Sequence, residues 1–230
     1  RELMKNRALV DILIVIAVSV AAFAFESAFA DALPWGEEAR GVIAVLAGAA
    51  ASIWLTRARG GSLADLGFRR PRRWLMVPAW VFGILVVFVT AQGLVPTLVG
   101  QFFDIPQPDM SRYDVIRGNA AMALFFAIAL PLVAAVPEEI VYRGFMIDRF
   151  TTAFGGGKGA PWLAALAQAF IFGLIHFQWG IGGILMTTIM GLVWGAAFVL
   201  CGRNLWIVIL AHSAAHMALV LQIYTSPAPA

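Results

Sequence analysis

The sequence predicts an all-α, polytopic membrane helix bundle of about seven transmembrane helices with a cytoplasmic N-terminus. Three observations lead there. Of the 230 residues 61% are hydrophobic and only 13% charged, with a mean hydropathy of +0.86, whereas a soluble domain is roughly a quarter charged. Apolar runs of membrane length, about 20 residues each, recur at 8–30, 41–57, 75–98, 119–141, 160–178, 182–201 and 204–223. Finally, 13 of the 16 basic residues fall in alternate connections. They are Arg1, Lys5 and Arg7, then Arg57, Arg59, Arg69, Arg70, Arg72 and Arg73, then Arg143, Arg149 and Lys158, and last Arg203. The other side keeps Arg40, Arg112 and Arg117, diluted by Asp31, Glu37, Glu38, Asp104, Asp109 and Asp114. The positive-inside rule therefore puts the N-terminus in the cytoplasm and the C-terminus outside. The net charge of +3 reads as a topology signal and a contact for lipid headgroups, with no nucleic-acid partner.

The elements follow in order. The first run carries Asp11 and Glu26, and it is too long and too polar for a cleaved signal peptide. The chain begins at Arg1 rather than Met, so upstream sequence is expected. Residues 58–74, "ARGGSLADLGFRRPRRW", read as a cytoplasmic connector with a short amphipathic piece at the headgroup level. Residues 99–118 form the longest polar stretch of the outer side. The fourth run holds Pro131 and Pro137 and is expected to continue as helix past Arg143 to about Phe154. "GGGKG" at 155–159 is a flexible hairpin; Lys158 is followed by Gly159 and no strand precedes it, so it is not a phosphate loop. "GLVWG" at 191–195 has the small-xxx-small spacing of closely packed helices. With no internal repeat, residues 1–230 read as a single transmembrane domain. Cys201 is the one cysteine, so no intramolecular disulfide is possible and a thiol nucleophile has no support.

Within the apolar runs sit residues that lipid disfavours. All three histidines lie there, His176 in "FIFGLIHF" and His212 and His216 in "ILAHSAAHMAL", together with Glu138, Glu139 and Arg143 of "AVPEEIVYRGF". Ionisable groups inside spans default to a functional site, the ordinary alternative being an interhelical hydrogen bond. Measured from Gly157, Glu138 lies 19 residues back and His176 19 forward, which places them at one depth in an antiparallel hairpin. His212 and His216, at i and i+4, face one side of a helix, although they lie nearer the cytoplasmic surface and require tilt to reach that depth. Glu139 and Arg143 stand in the favourable acid-before-base order at i and i+4 and are expected to pair. Glu138 is rotated by about 100° and left free to face the histidines. Glu139 is then structural and Glu138 chemical.

Water, a glutamate base and imidazoles are the parts of a hydrolase. Two arrangements fit: His176, His212 and His216 ligate zinc whose bound water Glu138 deprotonates, or no metal is present and Glu138, steadied by His176, activates water while His212 and His216 donate to the oxyanion. No HExxH or GxGD is present, and the "GGS" at 60–62 lies in the arginine-rich connector.

Together these residues resemble the CAAX protease and bacteriocin-processing (CPBP, or Abi) family of intramembrane endopeptidases, known by EExxxR, FxxxH and HxxxN on successive helices. Here these are "EEIVYR" from Glu138 to Arg143, "FGLIH" from Phe172 to His176, and "HSAAH" from His212 to His216. "DLGFRRP" at 65–71 is similar to a segment that often precedes the core. The resemblance is strongest over about 118–222, the expected catalytic core. It implies that Glu138 is catalytic and that His176 and His212 are essential, with Glu139, Arg143 and Phe172 in support. His216 departs from the family's asparagine, so it is open to donating to an oxyanion or binding metal. The family carries a metalloprotease label, while a metal-free, glutamate-activated water has been proposed for its eukaryotic CAAX-processing members.

The expectation is therefore an endopeptidase of the inner (plasma) membrane, cutting membrane-associated peptides or protein tails in a cavity that opens toward the cytoplasm. The eukaryotic branch cuts prenylated CAAX tails; the Ala- and Arg-rich composition suggests a prokaryotic protein with another substrate. The main rival is a non-catalytic immunity or regulatory protein of the same fold. A second is a proton-coupled transporter, disfavoured because no repeated half is visible.

Overall fold

The computed structural model describes residues 2–30 and 41–227. Arg1, Asp31, Glu37, Glu38 and Arg40, which entered the expected sidedness, lie outside the described residues. The described chain is all-helical: α1 (Glu2–Ala28), α2 (Val42–Ala58), α3 (Val77–Val99), α4 (Ala120–Ala153), α5 (Ala160–Leu174), α6 (Gly180–Leu200) and α7 (Leu205–Thr225), with short 3₁₀ turns between them. With their flanking turns α1, α3, α4, α6 and α7 are long and apolar enough to cross a membrane, while α2 and α5 are apolar but shorter. This is a polytopic helical membrane bundle.

Asparagines start two of the helices. Asn119 accepts from the Met122 amide at 3.2 Å and Asn204 from the Ile207 amide at 3.3 Å, which satisfies amides that a helix start leaves unpaired. The prolines of α4 do not end it. Pro131 removes an amide donor, and the chain answers with π-type turns over Pro131–Ala135 and again over Glu139–Met146. Such wide turns often mark functional positions. They flank Glu138, and the helix runs on to Ala153 as expected.

The bundle has two unlike ends. At the basic end buried Asp11 of α1 binds Arg59 at 2.7 Å and Arg149 at 3.2 Å, and Asp148 binds Arg203 at 2.8 Å. The polar interruption of the first run is thus the anchor that ties α1 to α2 and α4. Inside this end the hydrophobic core includes Val15, Leu55, Phe145, Ile147, Phe198 and Leu205. At the other end the Gly118 amide donates to the Tyr224 carbonyl and the Asp109 amide to the Trp179 carbonyl, folding the 100–118 stretch over the bundle.

The connector between α2 and α3 corrects one expectation. No amphipathic helix forms in it before Trp74. Its turns bury Leu66 to 2% exposure, the Gly67 carbonyl accepts from the Leu205 amide at 2.8 Å, and Asn204 donates its side chain to the Arg69 carbonyl at 2.7 Å. The connector sets Leu66 and Gly67 into the bundle, while most of its other residues stay exposed. Gly67, at φ +103°, and Gly144 of α4 permit the close approach, because a Cβ on Gly144 would strike the Leu66 carbonyl.

The small residues at 191–195 pack as expected. A Cβ on Gly191 would lie 2.8 Å from the Ala169 Cα, and Gln168 spans α5 and α6 by donating to the Gly191 carbonyl at 2.8 Å. Gly191→Ala is expected to lower detergent-solubilised thermal stability by about 1–3 kcal/mol through overpacking. Gly83→Ala, where the new methyl meets nothing within 4 Å, is expected to raise it by up to about 1 kcal/mol through helix propensity. Equal shifts in the two thermal melts would contradict this packing.

Candidate active site

The two glutamates of α4 diverge as their positions on a helix require. Glu139 points into the core, and its Oε1 accepts from Arg143 at 2.9 Å and from Nδ1 of His212 at 2.8 Å. All three side chains are fully buried. Phe172 covers the guanidinium, its ring centroid 4.6 Å from the Arg143 Cζ. A buried arginine without a counter-ion would be very costly, so the pair was expected. The bond to His212 was not, and it changes what that histidine can do. An ionised carboxylate only accepts, so Nδ1 of His212 carries the proton and Nε2 presents its lone pair.

That Nε2 faces Glu138, 3.8 Å from its Oε2. The gap exceeds a direct hydrogen bond and is one that a single bridging water spans. His176 is set the same way, because its Nδ1 lies 2.7 Å from the Phe172 carbonyl, a group that can only accept. Packed rings hold both histidines: Trp179 against His176 at 4.9 Å, and Trp194 of α6 against His212 at 5.9 Å. The His216 ring lies 4.5 Å from that of His212.

Glu138, His176, His212 and His216 all line one cavity of about 1540 Å³. It is bounded by α1 from Ser19 to Phe23, α2 from Val42, α3 from Leu85 to Thr97, the 105–115 segment, α4 from Met122 to Tyr142, and α7 from His212 to Gln222. Most of these residues lie toward the helix ends away from the arginines, and Glu138, Val141, Tyr142 and His212 carry the cavity past the middle of α4 and into the first half of α7. Toward the basic end lies the packed core.

Two expectations are corrected. Arg143 is a core residue paired with Glu139, not a loop charge that sets topology. His176 does not sit inside a span; it follows the last turn of α5, which stops at Leu174, and is held by the turn that leads into Phe177–Trp179. On the basic face a separate, smaller pocket of about 230 Å³ lies among Thr56, Arg59, Asp65, Phe145, Asp148 and Arg149. The depth mismatch of α7 resolves as well. Leu205 is fully buried beneath the connector, so α7 begins inside the bundle and His212 needs few turns to reach Glu138.

Sequence reasoning missed Trp194, which a continuous apolar run conceals. It noted Asp11 only as an interruption, although an acid within a span was the signal of a structural ion pair.

His176 and His212 carry the tautomer that metal ligands use, but among the described residues no three of His, Cys, Asp and Glu are grouped so as to hold an ion. The side chains as arranged do not fit a zinc centre.

Residues 120–218 match the family described as type II CAAX prenyl endopeptidase Rce1-like. The match is consistent with the CPBP/CAAX protease resemblance and spans α4, α5, α6 and most of α7. At the family level the Rce1-like match supports a CAAX-protease-like intramembrane endopeptidase acting on membrane-associated peptide. The four cavity-lining residues Glu138, His176, His212 and His216 all fall within the Rce1-like stretch. No curated protein and no solved structure matches the chain.

Proposed function

We propose that this protein is an intramembrane endopeptidase of the plasma membrane in which Glu138 activates a water held between its carboxylate and Nε2 of His212. The observation that carries the reading is the 3.8 Å approach of those two groups on the wall of a large cavity. Glu138 takes a proton from the water as it attacks the peptide carbonyl, and returns that proton to the leaving amine. His212 orients the water through its lone pair, its ring held by Glu139 and Arg143. His176 supports the other side of the site, and His216 donates to the oxygen that becomes negative in the tetrahedral intermediate. The substrate is a peptide segment tethered to or embedded in the bilayer.

The test compares peptides released from membranes that hold wild type or Glu138→Gln. Cleavage that persists in the variant would leave a binding or immunity protein of the same fold as the reading. The zinc alternative has its own test. Chelation followed by gel filtration is expected to leave cleavage unchanged. Zinc present one per chain, with activity lost on its removal and restored on its return, would overturn the metal-free step.

A further inference from the structure

We infer that Tyr142 is a further catalytic residue, whose phenol donates a hydrogen bond to the oxygen of the scissile carbonyl as negative charge gathers there. The inference rests on the endopeptidase reading and gives the site a second donor beside His216. Tyr142 stands four positions after Glu138 on α4, the separation that puts two side chains on one helix face. It lines the same cavity as Glu138 and the three histidines. Its ring meets Phe172 of α5 edge-on, with centroids 4.9 Å apart, and Phe172 in turn touches the His176 ring at 4.8 Å. The phenol is thus set between two groups of the site. Glu138 lies on its own helix face, near enough for the carboxylate charge to act on it, and His176 is reached through the shared ring.

The hydroxyl is what marks the residue out. Tyr142 is 6% exposed, and a tyrosine buried to that degree ordinarily gives its hydroxyl a partner. Here the hydroxyl makes no hydrogen bond to any described residue, yet its oxygen is not one of the buried polar atoms sealed off without a partner. It is open to the cavity and to what the cavity holds. An unpaired donor in a poorly solvated wall is costly, and a substrate acceptor relieves that cost. A peptide carbonyl accepts a weak bond. The oxygen of the tetrahedral intermediate accepts a charge-assisted one, roughly twice as strong, so the contact favours the transition state over the bound peptide. As the water oxygen bonds to the carbonyl carbon, Glu138 holds the released proton and the carbonyl electron pair moves onto oxygen, facing Tyr142. No proton leaves the phenol. When the C–N bond breaks, the pair returns to re-form the carbonyl and Glu138 protonates the departing amine. Because a phenol is neutral, it supplies this donor without adding charge to an apolar wall.

Tyr142→Phe tests this, since it removes one oxygen and keeps the ring against Phe172. The probe is a synthetic peptide spanning the main cleavage site found in the wild-type membrane digest. In detergent, kcat is expected to fall by about 10²–10³-fold, the usual effect of deleting one oxyanion donor, with KM little changed. The thermal melt and the shape of the pH profile are expected to stay as in wild type. Wild-type kcat in the variant overturns the inference, as does a loss carried by KM alone. A lowered melting temperature would make the hydroxyl structural, and a displaced acidic limb would mean that it acts through the proton on Glu138; either result also overturns it. A digest in which wild type cuts nothing removes the endopeptidase reading and Tyr142 with it. Normal cleavage by Glu138→Gln beside a slow Tyr142→Phe would remove Glu138 as the base and leave the donor standing.

Discussion

Glu138→Gln is expected to reduce cleavage of membrane peptides by at least on the order of 10²–10⁴-fold, the usual contribution of a positioned general base, while the protein accumulates and melts as wild type does. The substitution keeps the shape of the side chain and removes only its ability to take a proton. Glu138 holds no ion pair with Arg143, which belongs to Glu139, and its side chain retains 13% exposure to the cavity. Thermal melting in detergent beside a quantified peptide digest checks both halves. A variant that cuts normally removes Glu138 from the chemistry, and one that fails to fold removes the division of labour between the two glutamates.

The second large effect concerns the neighbouring carboxylate. Glu139→Ala is expected to destabilise the protein by about 3–5 kcal/mol, because it strands a fully buried arginine. Arg143→Met alone should cost a similar amount by leaving Glu139 as an uncompensated buried charge. The double variant Glu139→Leu, Arg143→Met replaces both with apolar side chains and is expected to recover most of the loss, as buried ion pairs exchanged for packed hydrophobic residues often do. Cleavage should not return with stability. Without Glu139 the His212 Nδ1 loses its acceptor at 2.8 Å, and with it the tautomer that turns a lone pair toward Glu138. Chemical or thermal unfolding of the three variants, set beside their cleavage rates, separates the two roles. A double variant that is stable and fully active would show that His212 needs no orientation.

The helical architecture was legible in the residues because lipid allows few alternatives. A span must satisfy its backbone internally and present an apolar exterior, and the seven runs read from hydropathy fall close to α1 through α7. The ordered EExxxR, FxxxH and HxxxH spacings marked which polar residues to follow, because charge within an apolar run demands a partner. The Glu139–Arg143 pair was readable for the same reason, both members lying on one helix face. Their bond to His212 was not readable, since it joins residues 73 positions apart and no local rule relates α4 to α7. The connector misled for a related reason. Five arginines with scattered apolar residues read as a short amphipathic piece at the headgroups, yet Leu66 and Gly67 find a site against Gly144 and Leu205. Only the folded bundle creates that groove.

By itself the sequence determined that this is a helical membrane protein, which ends of its helices carry the positive charge, and which six polar side chains the bilayer would not tolerate unpaired. Those are properties of single segments in lipid, set by transfer energies that each residue carries wherever the chain goes. The tertiary structure alone decided that Glu139 orients His212, that α7 starts beneath the connector, and that Glu138 and the three histidines line one cavity. Each of those depends on which helix faces which, and packing between distant segments leaves no periodic trace in either one.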